Sequence, residues 1–299
     1  MKRIFLLFNV LSLVGCVEHH ITEKPANNLI DHGDYAIDTF FPSQVQDERV
    51  RFLIFHYTAV DDTESLRLLT QGKVSAHYLI SSNPGKFNGK PVVLQLVPES
   101  KRAWHAGVSG WAVRNNINDT SIGIEIVNDG FHEHSSRRQW IPYHKEQMIL
   151  AASLARDIIA RYQIKPQNVL AHSDIAPLRK TDPGPQFPWK TMAQQGVGAW
   201  PDAETVTKYL QGKHRWSSGD VMIIQQALAA YGYTIPKTGK MNSETQRVIS
   251  AFQMHFRPRN ITGVADMETE AIARALVEKY CAQMPLLICC ENLRYHYIA

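Results

Sequence analysis

Residues 121–128 read SIGIEIVN, a nearly continuous apolar run of eight, too short for a typical helix and rich in β-branched side chains. It is read as a strand of a buried central sheet. A carboxylate, Glu125, stands in its middle, where burial without a partner is costly. A salt bridge or an exposed edge would accommodate it, and so would a pocket in which the carboxylate moves protons. Working outward, VRFLIF (50–55) is a second short apolar strand, and Val74–Ile80 and Val92–Val97 are two more, separated by the turn residues Asn83-Pro84-Gly85. Asp61, Asp62 and Thr63 offer N-caps to a helix over 63–71 that closes at Gly72. A long loop covers 98–119. Downstream, Leu150, Leu154, Ile158 and Tyr162 recur at helical spacing between Pro142 and Pro166, and Val169-Leu170-Ala171 is a short strand. Strands alternating with helices to about residue 200 predict an α/β fold with a central mixed β-sheet flanked by helices.

The chain has 299 residues, 44% hydrophobic and 20% charged, which excludes a disordered polymer and allows about two domains. Its 32 Lys+Arg and 28 Asp+Glu give a net +4 without basic blocks, so no nucleic-acid partner is expected. No stretch of 18 apolar residues occurs, which excludes a multi-pass helical membrane protein. Four cysteines are too few for a disulfide scaffold, and if Cys16 is occupied otherwise, Cys281, Cys289 and Cys290 leave an odd thiol. At the start, Lys2 and Arg3 precede an apolar stretch with nine of eleven residues from Ile4 to Val14 hydrophobic. That is the pattern of a secretory signal, here 1–15, followed by a tether over 16–34. Beyond a linker at 211–218, three amphipathic helices are expected over 219–280. Val221, Ile224 and Leu228 line the first. Val248, Phe252 and Phe256 line the second, behind a capping box at Ser243–Gln246, and Ile272, Leu276 and Tyr280 line the third. Residues 281–299 are left as a tail.

Chemistry concentrates at strand ends. His56 directly follows the first strand of the α/β region, and AHSDIAPLRKTDPGP (171–185) directly follows another, bringing His172 and Asp182. Two imidazoles and a carboxylate could hold one Zn²⁺ and leave a fourth position open. Lys180 lies two residues before Asp182, on the same side of an extended segment. Glu125, beside such a centre, could take a proton from water and return it to a leaving amine. Trp104 could line a sugar-binding groove with His105, or be plain core. His77 is structural or part of a pocket wall.

Five motifs, LIFHYTA, VSAHYLI, WHAG, SIGIEIVN and AHSDIAPLRKTDPGP, occur in an order and spacing that resemble the zinc-dependent N-acetylmuramoyl-L-alanine amidases of the Amidase_2 type. The likeness covers about residues 35–195 and implies a catalytic domain over 35–210. It implies His56, His172 and Asp182 as ligands of one zinc ion, Glu125 as the catalytic carboxylate and Lys180 as the cation that stabilises the transition state. Some phage relatives place a Tyr before the His of the HYL strand; here Ala76 precedes His77, which shifts the base role onto Glu125. The reaction implied is hydrolysis of the amide between N-acetylmuramic acid and L-alanine, in peptidoglycan or anhydro-muropeptides, releasing stem peptides. Residues 237–253 and 261–269 resemble a three-helix peptidoglycan-binding domain. Leu13-Val14-Gly15-Cys16 resembles a bacterial lipoprotein signal, which implies lipid on Cys16. With Val17 next, that implies a Gram-negative outer-membrane lipoprotein facing the periplasm, expected as a monomer. A recognition protein that binds muropeptides without cutting them, and a zinc peptidase cutting within the stem peptide, are the competing readings.

Overall fold

The computed structural model describes residues 28–134 and 137–281. Residues 28–47 form a small unit of their own. Within it, β1 (Leu29–Asp31) and β2 (Ala36–Asp38) pair as an antiparallel hairpin that overlaps the tether expected over 16–34. The Asp31 side chain accepts the Gly33 amide at 2.8 Å in the turn, a local bond that needs no core behind it.

The described residues from Glu48 onward form a second compact unit. It opens with β3 (Phe52–Tyr57) and α1 (Asp62–Gln71), whose first turn is capped by Asp61 accepting the Glu64 amide. There follow β4 (Tyr78–Ile80), the ribbon β5 (Lys86–Phe87) and β6 (Lys90–Pro91), β7 (Leu94–Gln95), and a second ribbon, β8 (Gly110–Trp111) and β9 (Arg114–Asn115). Then come β10 (Ser121–Ile126), the exposed hairpin β11 (Phe131–His134) and β12 (Arg137–Trp140), α2 (Lys145–Tyr162), β13 (Val169–Ala171) and α3 (His172–Ile175). The helices α4 (Trp189–Gln194), α5 (Ala203–Leu210), α6 (Val221–Tyr231), α7 (Ser243–Phe256) and α8 (Met267–Tyr280) complete the described residues. None of the described helices is long and apolar enough to cross a membrane.

The central sheet runs β13-β3-β10-β4-β7, with the first four strands parallel and β7 antiparallel at the edge, so the expected mixed sheet is present. Its two faces are sorted by the two-residue period of a strand. Leu53 and Phe55 of β3 and Ile122, Ile124 and Ile126 of β10 bury against Leu150, Ala151, Ala155 and Ile158 of α2. On the other face, Phe52 and Ile54 join Leu170 and Ile175 in a core that continues into Ile224, Leu228, Phe252, Phe256 and Leu276. The three C-terminal helices therefore share a core with the sheet. Asn242, one residue before the expected capping box, caps α7 through the Thr245 amide at 2.8 Å. The expected strands at 74–80 and 92–97 shrink to 78–80 and 94–95, and the expected loop at 98–119 contains the ribbon β8–β9.

Candidate active site

Parallel strands present their carboxyl ends on one edge of the sheet, where α/β proteins place ligands. Three consecutive strands deliver side chains there. His56 is the fifth residue of β3, Glu125 is the fifth of β10, and in the register of the sheet the two stand directly opposite each other. Ala171 pairs with Phe55, which brings His172, the next residue, beside His56. Asp182 returns through the following loop, where its carbonyl accepts the Ser173 amide at 2.9 Å.

The result is a buried triangle. His56 Nδ1 lies 3.0 Å from His172 Nδ1 and 3.0 Å from Asp182 Oδ2, and His172 Nδ1 lies 2.9 Å from the same oxygen. His172 Nε2 is 3.0 Å from the Ala106 carbonyl, which can only accept, so the ring proton belongs on Nε2 and Nδ1 carries a lone pair. His172 Nδ1 and the Asp182 carboxylate thus aim acceptors at one point, with His56 Nδ1 beside both, an arrangement that calls for a shared cation or proton. Donors 2.9–3.0 Å apart can all reach one ion at the ~2.0–2.2 Å of zinc–nitrogen and zinc–oxygen bonds, and the outer bond of His172 is the kind that fixes a ligand tautomer. The donor set fits zinc.

Electrostatics agree with the geometry. Burial pushes the His56 imidazole down to about 4, with His172 adding to the shift, so its ligating form is the stable one. Burial alone would raise the Asp182 carboxyl, but His172 and His56 override it and hold the group well below the usual carboxylate range. Glu125 goes the other way. Burial and the Asp182 charge raise its carboxyl to about 8 against the opposing pull of Lys180, and its Oε2 is inaccessible and without a hydrogen bond.

A cavity of about 370 Å³ opens beside the triangle, its wall including Tyr57, His105, Glu125, His172, Lys180 and Asp182. His105 shares a 2.9 Å hydrogen bond with His56 Nε2 and a 3.1 Å bond with Ser121 Oγ. Gly123 makes room for it: a Cβ there would stand 2.5 Å from the His105 ring. Trp104 is 54% exposed, which removes the reading of it as core. It is not on the cavity wall, though its amide bonds Ser75, which is. His77 is buried, accepts the Gly123 amide and reaches the Lys101 carbonyl, both at 3.1 Å. It braces β10, away from the wall. Cys16, Cys289 and Cys290 lie outside the described residues.

Some contributing residues carry no local signal. Asn118, buried, accepts the amides of His105 and Ala106 at 3.1 and 2.8 Å and so shapes the WHAG turn. Arg179 holds the carbonyls of Ala106 and Val108. A side-chain amide or guanidinium serving a distant backbone is invisible until the fold brings the two together.

The class defined by this fold and site is an α/β enzyme with a buried His-His-Asp centre and a raised-pKa glutamate at a sheet edge. Residues 46–185 match the N-acetylmuramoyl-L-alanine amidase family, and residues 217–272 match a peptidoglycan binding domain family. The chain is 48% identical to the N-acetylmuramoyl-L-alanine amidase AmiD of Escherichia coli K12 over 282 residues, 94% of this chain and 99% of that protein. It is 41% identical to the 1,6-anhydro-N-acetylmuramyl-L-alanine amidase AmpD of the same organism, over 39% of this chain and 55% of that protein. Among solved structures, E. coli AmiD in complex with anhydro-N-acetylmuramic acid-L-Ala-D-γ-Glu-L-Lys superposes with a TM-score of 0.82, covering 85% of this chain and 98% of that one. AmpDh3 of Pseudomonas aeruginosa superposes at 0.74 with 43% identity, covering 85% of this chain and 99% of that one. The chain belongs to the N-acetylmuramoyl-L-alanine amidase family and is an enzyme of that class.

Proposed function

We propose that the chain is a zinc-dependent amidase that cuts the bond between N-acetylmuramic acid and L-alanine, in peptidoglycan and in anhydro-muropeptides, and releases intact stem peptides. The observation that carries the reading is the convergence of His56 Nδ1, His172 Nδ1 and Asp182 Oδ2 within 3.0 Å of one another, with Glu125 in register with His56. A zinc ion held by these three residues would supply Lewis acidity, acidifying water and polarising the scissile carbonyl. Glu125 then does the proton work. With a cation at the triangle to favour its carboxylate, Glu125 would accept a proton from the attacking water and hand it to the departing alanine amine. The value of about 8 without metal marks a group that also holds a proton near neutral pH, as the second transfer requires. Lys180, on the same cavity wall, offsets the negative charge that develops on the carbonyl oxygen. His105 holds His56 from behind, and Trp104 offers an exposed aromatic face to a sugar ring.

In this reading the catalytic part spans 35–210, the segment 211–218 connects it to a wall-binding part over 219–280, and acylation of Cys16 tethers the protein to the inner face of the outer membrane. Acyl chains contribute about 0.8 kcal/mol per buried CH₂, so more than one is needed for stable anchoring. Digestion of purified sacculi and of soluble anhydro-muropeptides, with mass analysis of the products, tests the reaction. Intact stem peptide, lost on chelation and regained with zinc, is expected. Cleavage inside the stem, or binding without cleavage, overturns it.

A further inference from the structure

The segment from His172 to Asp182 supplies two of the three donors, yet much of what anchors it comes from the C-terminal helices. Asp174 is fully buried on α3, two residues past His172. Its carboxylate accepts the Ala171 amide at 2.8 Å, His255 Nδ1 of α7 at 2.7 Å, and the hydroxyl of Tyr233, just past α6, at 2.5 Å. His255 is also buried and stacks on Trp189, ring centroids 3.8 Å apart and 20° from parallel. Its Nε2 has no partner, so the ring's hydrogen bonding is committed to Asp174 alone. A second bond runs from α7 to the same segment, Arg247 Nη1 to the Leu178 carbonyl at 3.1 Å. Inside the segment, the Ser173 amide ties α3 to the Asp182 carbonyl at 2.9 Å.

A buried histidine kept with one nitrogen unsatisfied is costly, and a carboxylate with three buried donors is hard to displace. Placed between a metal-ligand segment and a helical part that resembles a wall-binding domain, they do more than fill a core. We propose that Asp174, His255, Tyr233 and Arg247 form a clasp through which the C-terminal helices position His172 and Asp182 for metal binding, so that these helices complete the active centre. The four are positioning residues, and the inference rests on the zinc reading above.

The test uses the full-length protein with three variants, Tyr233→Phe, His255→Ala and His255→Asn. Zinc affinity is measured by chelator competition, and amide hydrogen exchange over residues 172–182 is followed in the metal-free protein. Losing an outer partner of a ligand typically weakens metal binding 10–100-fold, and these partners act one step further out, so about tenfold is expected for Tyr233→Phe and His255→Ala. Exchange over 172–182 should quicken in both while sacculus pelleting stays unchanged. His255→Asn should recover most of the affinity, because its side-chain N–H can donate where Nδ1 did. Tyr233→Phe removes a single oxygen, which keeps the comparison within a folded protein. Parent protein that binds one zinc, with variants within twofold of it and unchanged exchange, sinks the clasp and leaves the amidase reading standing. An Asn variant as weak as the Ala variant sinks it as well. Parent protein that binds no zinc removes the metal reading itself.

Discussion

Replacing Glu125 by Gln separates the electrostatics of the site from its shape. The two side chains are nearly isosteric, but only one ionises. In the folded, metal-free protein, burial and the Asp182 charge raise the Glu125 carboxyl from its ordinary 4.5 to about 8. Between those values the folded chain holds a proton that the unfolded chain has released. Stability from this group is therefore fully present below pH 4.5 and is lost as pH rises through about 8. At 1.36 kcal/mol per pKa unit, the loss reaches about 3 kcal/mol at pH 7 and about 5 kcal/mol once the group is fully ionised. Glutamine escapes it. Urea unfolding of parent and Glu125→Gln in chelator, at pH 5, 6, 7 and 8, should show the variant gaining on the parent with each step. A divalent cation stabilises the carboxylate, so the same series with zinc should be shallower. Zinc should stay bound in the variant while hydrolysis falls by about 10²–10⁴, the usual contribution of a general acid–base. A stability difference flat between pH 5 and 8 would refute the buried, raised-pKa carboxyl, and near-parental hydrolysis would remove it from the chemistry.

Asp182→Ala should leave two neighbouring imidazoles without their anionic partner, and metal content by atomic absorption should fall from one per chain toward none together with activity; retained zinc would point to a different third ligand. Trp104→Ala changes a side chain that is 54% exposed, with the Arg102 guanidinium 4.0 Å above its ring. Its unfolding free energy should move by no more than about 0.5 kcal/mol while KM for muropeptides rises at nearly constant kcat, and an unchanged KM excludes a sugar contact there. Gly123→Ala would put a methyl 2.5 Å from the His105 ring, and overpacking of that kind costs about 1–3 kcal/mol. His105 should turn away from His56, visible as a shifted His56 ring resonance and weaker zinc binding; a parental spectrum would show that the site gives way elsewhere.

What could be read from the chain before its structure follows from how local each cause is. The run at 121–128 reads as nearly continuous apolar sequence, and its strand is real. Its finer pattern, with Ser121, Gly123 and Glu125 on one face and Ile122, Ile124 and Ile126 on the other, explains the buried carboxylate better than length or hydrophobicity does. The small face accommodates His105 and the metal-ligand corner, and the isoleucine face packs on α2. His56 and His172 each directly follow an apolar strand run and Asp182 precedes Pro183-Gly184, local contexts that mark them singly, while it is the family resemblance that joins the three into one site. Trp111 offered no such context. Its two-residue strand has no period to detect, and its burial against Tyr231 and Tyr233 depends on helices more than a hundred residues away.

Asp174 shows the same division most sharply. In the sequence it is one polar residue in a loop already crowded with chemistry, and its neighbour His172 draws the attention. Its partners lie 59 and 81 residues further along, one just past α6 and one on α7, in a part that resembles an appended binding domain. Only the packing of those helices on the sheet turns a local acid into a joint between two halves of the protein. If that joint holds the ligand segment, removing the helices should damage catalysis on soluble muropeptides too, where attachment to the wall contributes nothing.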